Sequence, residues 1–268
     1  GEIFCIVKFT EWSDGAKYPS GQMLLKIGDT LNRDDVLKSL VYYYRLESSL
    51  KTLKAEMPER KTAFLESVQP VDWPTIPVYS IDPPGCTDID DAFQYQPILN
   101  EKREVTGHHL AIHITSVGDL IDSINLDRAF SLYLLEETHH MLSTNYVAAL
   151  SLSPGQARYT VCLVLEFNNL YEMVRHEFKL NRVTNSKQLT YQQVDGFISR
   201  NERYWICLRE FISGLRTANP IFHTAAHLYK SPVDSHLIVE TMMILYNCIG
   251  TRYLIEQGLD PVLRIHHP

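Results

Sequence analysis

The sequence predicts an α+β fold in which strands come first and helices later. Apolar or alternating runs separated by turn residues dominate the chain up to about residue 180. Helix-start signals and helical periodicity dominate after residue 190. The 268 residues are 45% hydrophobic, enough for one large core plus an appendage. No internal repeat or low-complexity segment appears.

Residues 1–31 read as short strands. Ile3 to Phe9 is an apolar run, turn residues occupy Trp12-Ser13-Asp14-Gly15 and Tyr18-Pro19-Ser20-Gly21, and Gln22 to Ile27 follows. Asn32 is placed to cap a helix reaching about Leu46, and Asp34 and Asp35 in its first turn suit the helix dipole. Tyr42-Tyr43-Tyr44 reads as the amphipathic side of that helix rather than an RNA platform. Residues 47–75, with many charges and Pro58, Pro70 and Pro74, read as a linker or surface wrap. Ile76 to Ile81 alternates like a strand ending, and Leu110 to Val117 is a further strand. Arg158 to Phe167 is expected to pair with Leu170 to Leu180 as a hairpin through Asn168-Asn169. Thr190 and Gln193 form a capping box opening a helix near Tyr191. Two more helices follow, near 201–217 and 235–257, the last stopped by Gly258.

The chemistry concentrates in one stretch, Ser80-Ile81-Asp82-Pro83-Pro84-Gly85-Cys86-Thr87-Asp88-Ile89-Asp90-Asp91-Ala92. Carboxylates a few ångströms apart repel, and without a counter-charge one of them stays protonated. A hard divalent cation removes that difficulty, and all-oxygen ligation points to Mg2+, Mn2+ or Ca2+ rather than Zn2+. An EF-hand loop needs acids at alternate positions, glycine at the sixth and glutamate at the twelfth; reading from Asp82 or Asp88 fails that test. Pro83, Pro84 and Gly85 constrain the backbone between the first acid and the other three, which argues against a merely solvated acidic loop. Adjacent Asp90 and Asp91 cannot point the same way along a strand, so different roles are expected for them.

Several classes are disfavoured. The five cysteines are scattered and contain no CxxC, which argues against a disulfide framework or zinc site and for a reducing compartment, the cytoplasm first, with mitochondrion or nucleus as alternatives. No uninterrupted apolar stretch is long enough for a membrane span, and the start does not read as a signal peptide. The pairs His108-His109, His139-His140 and His266-His267 offer at most one metal ligand each, since neighbours on a strand face opposite ways. The net charge of -7 is unusual for a free-standing RNA binder, although the four aspartates supply part of it.

The acid run resembles the metal-binding signature of the ribonuclease II, or RNB, family of processive 3′-to-5′ exoribonucleases, especially its eukaryotic exosome-type branch. Further segments resemble that family in its order: His113-Ile114-Thr115-Ser116-Val117, Leu126-Asp127-Arg128-Ala129-Phe130-Ser131-Leu132-Tyr133-Leu134, Met141-Leu142, Ala149 to Gly155 with Arg158, Leu189-Thr190-Tyr191-Gln192-Gln193-Val194, and Ile238-Val239-Glu240 with Asn247. The resemblance covers roughly residues 76–268. It implies that residues 1–31 close a cold-shock, OB-like barrel with too few strands present to complete it, that 32–75 are helix and linker, and that 76–268 are the N-terminal half of an RNB domain. The family often carries an acid where this chain has Ser116, and its connection over 223–234 is usually longer. Val262 to Pro268 resembles a mid-domain segment, and with Gly1 in place of a starting methionine this implies a fragment, a site completed by another chain, or a version without catalysis.

For the site, the resemblance implies that Asp82, Asp88 and Asp91 mainly hold magnesium, with manganese as the alternative, and that Asp90 positions the attacking water, with Asp88 beside it. All four acids belong to the expected metal set. Tyr133 would limit the final product length and Tyr191 would stack on a base; without the motifs, both would read as ordinary packing tyrosines. Arg128 could contact phosphate, a structural ion pair being the plainer reading. Glu240 could accept hydrogen bonds near the substrate 3′ end, with a surface salt bridge as its alternative. The implied partners are single-stranded RNA, a second chain or missing half, and a multi-protein RNA-processing assembly, with no membrane. The alternative function is a catalytically inactive RNA-binding or assembly component. A magnesium-dependent phosphatase of another fold would explain the aspartates but not the ordered motifs downstream.

Overall fold

The computed structural model describes residues 1–44, 46, 59–69, 73, 76–120, 130–134, 138–222 and 234–263. Among them the elements are, in chain order, β1 (Ile3–Glu11), β2 (Ser20–Asp29), α1 (Arg33–Tyr43), α2 (Thr62–Ser67), β3 (Tyr79–Asp82), β4 (Asp91–Leu99), β5 (Val105–Thr115), β6 (Leu132–Tyr133), β7 (Thr138–His139), α3 (Thr144–Leu150), β8 (Ala157–Asn168), β9 (Met173–Thr184), β10 (Lys187–Thr190), α4 (Tyr191–Ser199), α5 (Arg203–Ala218), a 3₁₀ turn (Pro220–Phe222) and α6 (Ser235–Glu256). This is the expected α+β class. The chain forms two compact units, Gly1–Met57 with Ser123–Val147, and Pro58–Asp122 with Ala148–Pro268.

In the first unit β1 and β2 pair as an antiparallel hairpin with three register shifts. Asn32 caps α1 as expected, its side chain accepting from the Asp35 amide at 3.1 Å. Asp35 in turn accepts from the Asp29 amide at 2.9 Å, tying the helix to the end of β2. The short strands β6 and β7 pair with each other.

The second unit is built on a six-stranded sheet of order β10-β3-β4-β5-β8-β9, in which β10 runs parallel to β3 and all other neighbours are antiparallel. Period-2 alternation sorts its two faces. Phe93 and Tyr95 of β4, Leu110 and Ile112 of β5, and Leu163, Leu165 and Phe167 of β8 all point into the main core. The helices cover that face with residues at helical spacing: Leu208, Phe211, Ile212 and Leu215 from α5, and Ile238, Met242, Leu245 and Ile249 from α6. Residues of the opposite parity, Ala92, Ala111, Cys162 and Val164, fall into two smaller buried clusters.

A polar thread runs among those smaller residues. Gln94 donates to the Ile76 carbonyl at 2.8 Å, its Oε1 lies 3.0 Å from His113 Nε2, and Thr160 Oγ1 lies 3.4 Å from His113 Nδ1. Burial pushes the His113 imidazole down to about 3 and that of His108, on the helix-covered face, down to about 4. Both rings are therefore neutral in the fold and protonate in the unfolded chain near pH 6.5. Stability contributed this way is present above pH 6.5 and is lost as pH falls toward 4, by about 1.4 kcal/mol per pH unit for each histidine. Urea unfolding between pH 7 and 4.5 should show this slope, and His113→Gln should make it shallower; an unchanged slope would show that the ring does not titrate this way.

Local signals and structure agree closely in the helical part. Thr190 and Gln193 form the full capping box of α4, and Gly258, at φ 73°, terminates α6 within two residues of its expected end. Two differences have physical reasons. The β8–β9 connection runs from Asn168 to Glu172 rather than through Asn168-Asn169, because the Asn168 side chain accepts from the amides of Leu170 and Glu172 and Tyr171 takes φ 63°. The strand β4 begins at the last acid of the run, an element that the reading of the acids as a turn passed over. Among the described residues, no helix is long and apolar enough to cross a membrane.

Candidate active site

The four acids sit where β3 ends and β4 begins. Asp82 is the last residue of β3, and Asp91 is the first of β4. The loop between them turns at Gly85, whose φ of 81° suits glycine and strains other residues. Cys86 N donates to the Pro83 carbonyl at 3.2 Å, closing the turn that the two prolines set up.

Residues far away in sequence pin this loop. Ser151 Oγ donates to the Thr87 carbonyl at 2.9 Å and accepts from the Ile89 amide at 3.0 Å, while Leu152 N donates to the Ile89 carbonyl at 2.9 Å. Gln188 of β10 donates to the Cys86 carbonyl at 3.1 Å, and Asn185 holds both Ser80 Oγ at 3.1 Å and the Leu152 carbonyl at 2.8 Å. Thr115 N reaches the Asp90 carbonyl at 3.0 Å. Arg158 secures the Ser151 segment through the carbonyls of Ser151 and Ala148, at 3.0 and 2.9 Å. Ser151 and Arg158 fall in segments that the sequence marks without giving them a task, and Asn185 and Gln188 fall outside every residue it marks. Nothing local marks those two, since the partners through which they hold the loop lie between about thirty and a hundred residues upstream.

The electrostatics are those of crowded like charge. Burial raises the Asp82 carboxyl above the usual carboxylate range, and the Asp88 charge adds to this, against an opposing pull from polar groups of Ser80, Gln188 and Cys86. Asp91 is pushed up to about 6, first by burial and then by the charges of Asp82 and Asp90. The Cys86 thiol, with Asp88 Oδ1 3.5 Å away, is pushed up to about 12 by burial and by Asp82 and Asp88, so it is not a thiolate nucleophile. Asp90, just before β4, is exposed while Asp91, its first residue, is half-buried, in line with the opposite orientations expected of extended neighbours.

Tyr191 joins this group. Parallel pairing sets Thr190 opposite Asp82, so the first residue of α4 lies beside the acids, and after burial the charges of Asp91 and Asp82 are what raise its phenol. The other expected site residues are placed differently. Glu240 on α6 forms an ion pair with Arg216 at 3.2 Å, the arrangement of its salt-bridge alternative. Tyr133 lies exposed on β6 in the first unit. Arg128 is outside the described residues.

The donor set suits a hard cation. Among the described residues, no three His, Cys, Asp or Glu side chains converge tightly enough to form a finished ligand cage. Yet Asp82 Oδ2 is buried without a hydrogen-bond partner. A buried carboxylate oxygen left unpaired costs free energy unless something positive meets it, and the neighbouring acids offer only oxygen donors.

The RNB domain model matches residues 71–227, more than half of the chain and the stretch that contains the acid loop, the sheet and Tyr191. The chain belongs to the RNB-domain family. The RNB relatives include the probable exosome complex exonuclease RRP44 of Caenorhabditis elegans, 25% identical over 298 residues that cover 98% of this chain and 31% of the relative. The structure of Mycoplasma genitalium RNase R in complex with double-stranded RNA superposes with a TM-score of 0.68 at 16% identity, over 96% of this chain and 51% of that one. Yeast Ssd1, a pseudonuclease, superposes with a TM-score of 0.60 at 16% identity, over 79% of this chain and 28% of that one. These two likenesses establish the RNB fold. The chain spans about a third of the length of the worm relative and half that of the RNase R chain.

Proposed function

We propose that this chain provides the acid-bearing part of an RNB active site that hydrolyses single-stranded RNA processively from its 3′ end, releasing nucleoside 5′-monophosphates with the help of magnesium. The observation that carries this proposal is the unpaired, buried Asp82 Oδ2 beside carboxylates whose charges oppose one another's ionisation. Asp82, Asp88 and Asp91 are the side chains that would hold Mg2+, or Mn2+ in its place. Bound there, the metal would polarise the scissile phosphate and stabilise the attacking and leaving oxygens. Asp90, exposed at the mouth of the loop, orients the attacking water and takes up its proton, with Asp88 alongside. Tyr191 receives a base on its ring, Tyr133 sets the length of the final product, and Arg128 contacts phosphate. Glu240 meets the substrate 3′ hydroxyls from its pair with Arg216. The partners that fit are single-stranded RNA, a polypeptide segment or second chain completing the site, and an RNA-processing assembly like those in which its exosome-named relatives take part, in the cytoplasm.

A second reading, an RNB-like protein that holds RNA without cutting it, is favoured by Ser116. The family often has an acid there, and here the serine donates to Asp119 at 3.2 Å while Arg60 pairs with the same Asp119 at 2.7 Å. The experiment that separates the two readings is a denaturing gel of 5′-labelled single-stranded RNA incubated with the full native polypeptide in Mg2+ and then in chelator. A ladder collapsing to a short stub only with metal supports the nuclease. RNA that is bound yet never shortened supports the holding protein.

Metal binding has its own signature. Asp91 titrates near 6 in the fold but near 3.9 when unfolded, so the folded state holds the extra proton between those values. Its contribution to stability is therefore lost as pH rises from about 4 to 6 and stays lost above. In chelator at pH 7.5, Asp91→Asn should raise stability by about 3 kcal/mol. Thermal unfolding should also show a Mg2+-dependent rise in wild type that is larger at pH 7.5 than at pH 5 and absent in the variant. A wild-type midpoint indifferent to Mg2+ at pH 7.5 would count against the metal assignment.

A further inference from the structure

The rings of Tyr191 and His236 lie with centroids 4.0 Å apart and planes within 10° of parallel, the closest ring pair among the described residues. Their register is set by the backbone of the two helices that carry them. Ser235 N donates to Asp195 Oδ1 at 2.9 Å, Ser235 Oγ donates to the Tyr191 carbonyl at 3.2 Å, and Asp234 caps α6 by accepting from Leu237 N at 3.0 Å. The first turn of α6 is thus fastened to the first turn of α4 immediately before His236.

Docking α6 does not need the imidazole. Leu237, Ile238, Met242, Leu245 and Ile249 already bury its core-facing side, whereas His236 is exposed. Tyr191 is partly packed against the core and adjoins Asp82 and Asp91, so His236 extends outward a stack that begins at the acids. The surface offered is the exposed imidazole of His236, held parallel to a ring beside the acids.

We infer that His236 is a second ring of the RNA-stacking platform, receiving an unpaired base one step farther from the acid loop than Tyr191. This rests on the RNA reading above and adds to it a substrate-contacting residue on α6. Stacking of this kind tolerates any base, so the platform grips single-stranded RNA without selecting sequence.

The test uses the full native polypeptide carrying Asp90→Asn, so that RNA is bound without being consumed, and oligonucleotides with 2-aminopurine at successive positions from the 3′ end. Stacking quenches the fluorescence of this base. His236→Ala should relieve the quench at one position and weaken binding by about tenfold, with the thermal unfolding midpoint unchanged, and His236→Phe should restore both quench and affinity. Equal quench and affinity in the Ala variant would overturn the inference while leaving the RNA reading intact. So would a weakened affinity accompanied by a lowered midpoint and an unmoved quench, since that pattern belongs to a purely structural ring. Absence of RNA binding in the unaltered polypeptide would overturn both.

Discussion

Asp90→Asn in the full native polypeptide should leave a labelled oligonucleotide bound and uncut, with hydrolysis reduced by about 10²–10⁴-fold, the usual worth of a positioned proton acceptor. The backbone of the variant is expected to stay in place, because the Asp90 carbonyl is anchored by Thr115 N at 3.0 Å and the side chain points outward. Affinity should change little. Binding is spread over stacking rings and phosphate contacts, whereas proton acceptance is concentrated in one carboxylate. Losing the Asp90 charge also removes one of the influences that raise Asp91, so that acid should ionise at lower pH in the variant. The measurement is a pair of assays on one preparation: filter binding for affinity and a denaturing gel for shortening. Shortening at the unaltered rate would remove Asp90 from the chemistry.

Phe211→Ala should destabilise the second unit by about 3–5 kcal/mol. Phe211 is fully buried in α5 and lies against four other rings: His108 at 4.5 Å, Tyr95 and Phe167 at 5.3 Å each, and Tyr171 at 6.4 Å. These neighbours cannot all collapse into the void. Tyr95 is fastened by its hydroxyl to the Cys207 carbonyl and to His108 Nδ1, both at 3.1 Å, and Tyr171 is wedged over Gly214 in a left-handed backbone conformation. The unfolding midpoint should fall by roughly 10 °C, read by calorimetry on the second unit. Below that midpoint the Mg2+ response should persist, since Phe211 belongs to the helix-covered core and the acids to the loop joining β3 and β4. A loss under about 1 kcal/mol would show that this ring cluster repacks freely.

The legible parts of the fold are those encoded within a few residues. The Asn32 cap, the Thr190–Gln193 capping box and the Gly258 stop each rest on a hydrogen bond or backbone angle spanning no more than four positions, and each is found where the residues predict it. The β8–β9 hairpin was legible as a pair but not in its turn, because Tyr171 takes its strained angle where its ring packs on Gly214 and His108, contacts made far along the chain. The strand β4 was hidden by the acids that open it. Asp91 is disfavoured in strands by propensity, and only pairing of β4 with β5 over nine positions overrides that.

The same division holds at the site. By itself the sequence determined the chemistry on offer: four carboxylates on a proline- and glycine-constrained loop that ordinary solvation does not explain. Tertiary structure alone decided that Asp82 is buried with an oxygen unpaired, that Asp90 faces out and Asp91 in, and that Ser151, Asn185 and Gln188 hold the loop. It also decided that β10 lies parallel to β3, which brings Tyr191, and through it His236, to the acids from more than a hundred residues away. Caps and turns are satisfied by neighbours in the chain, whereas a sheet register and the burial of a carboxylate depend on partners that packing alone brings together.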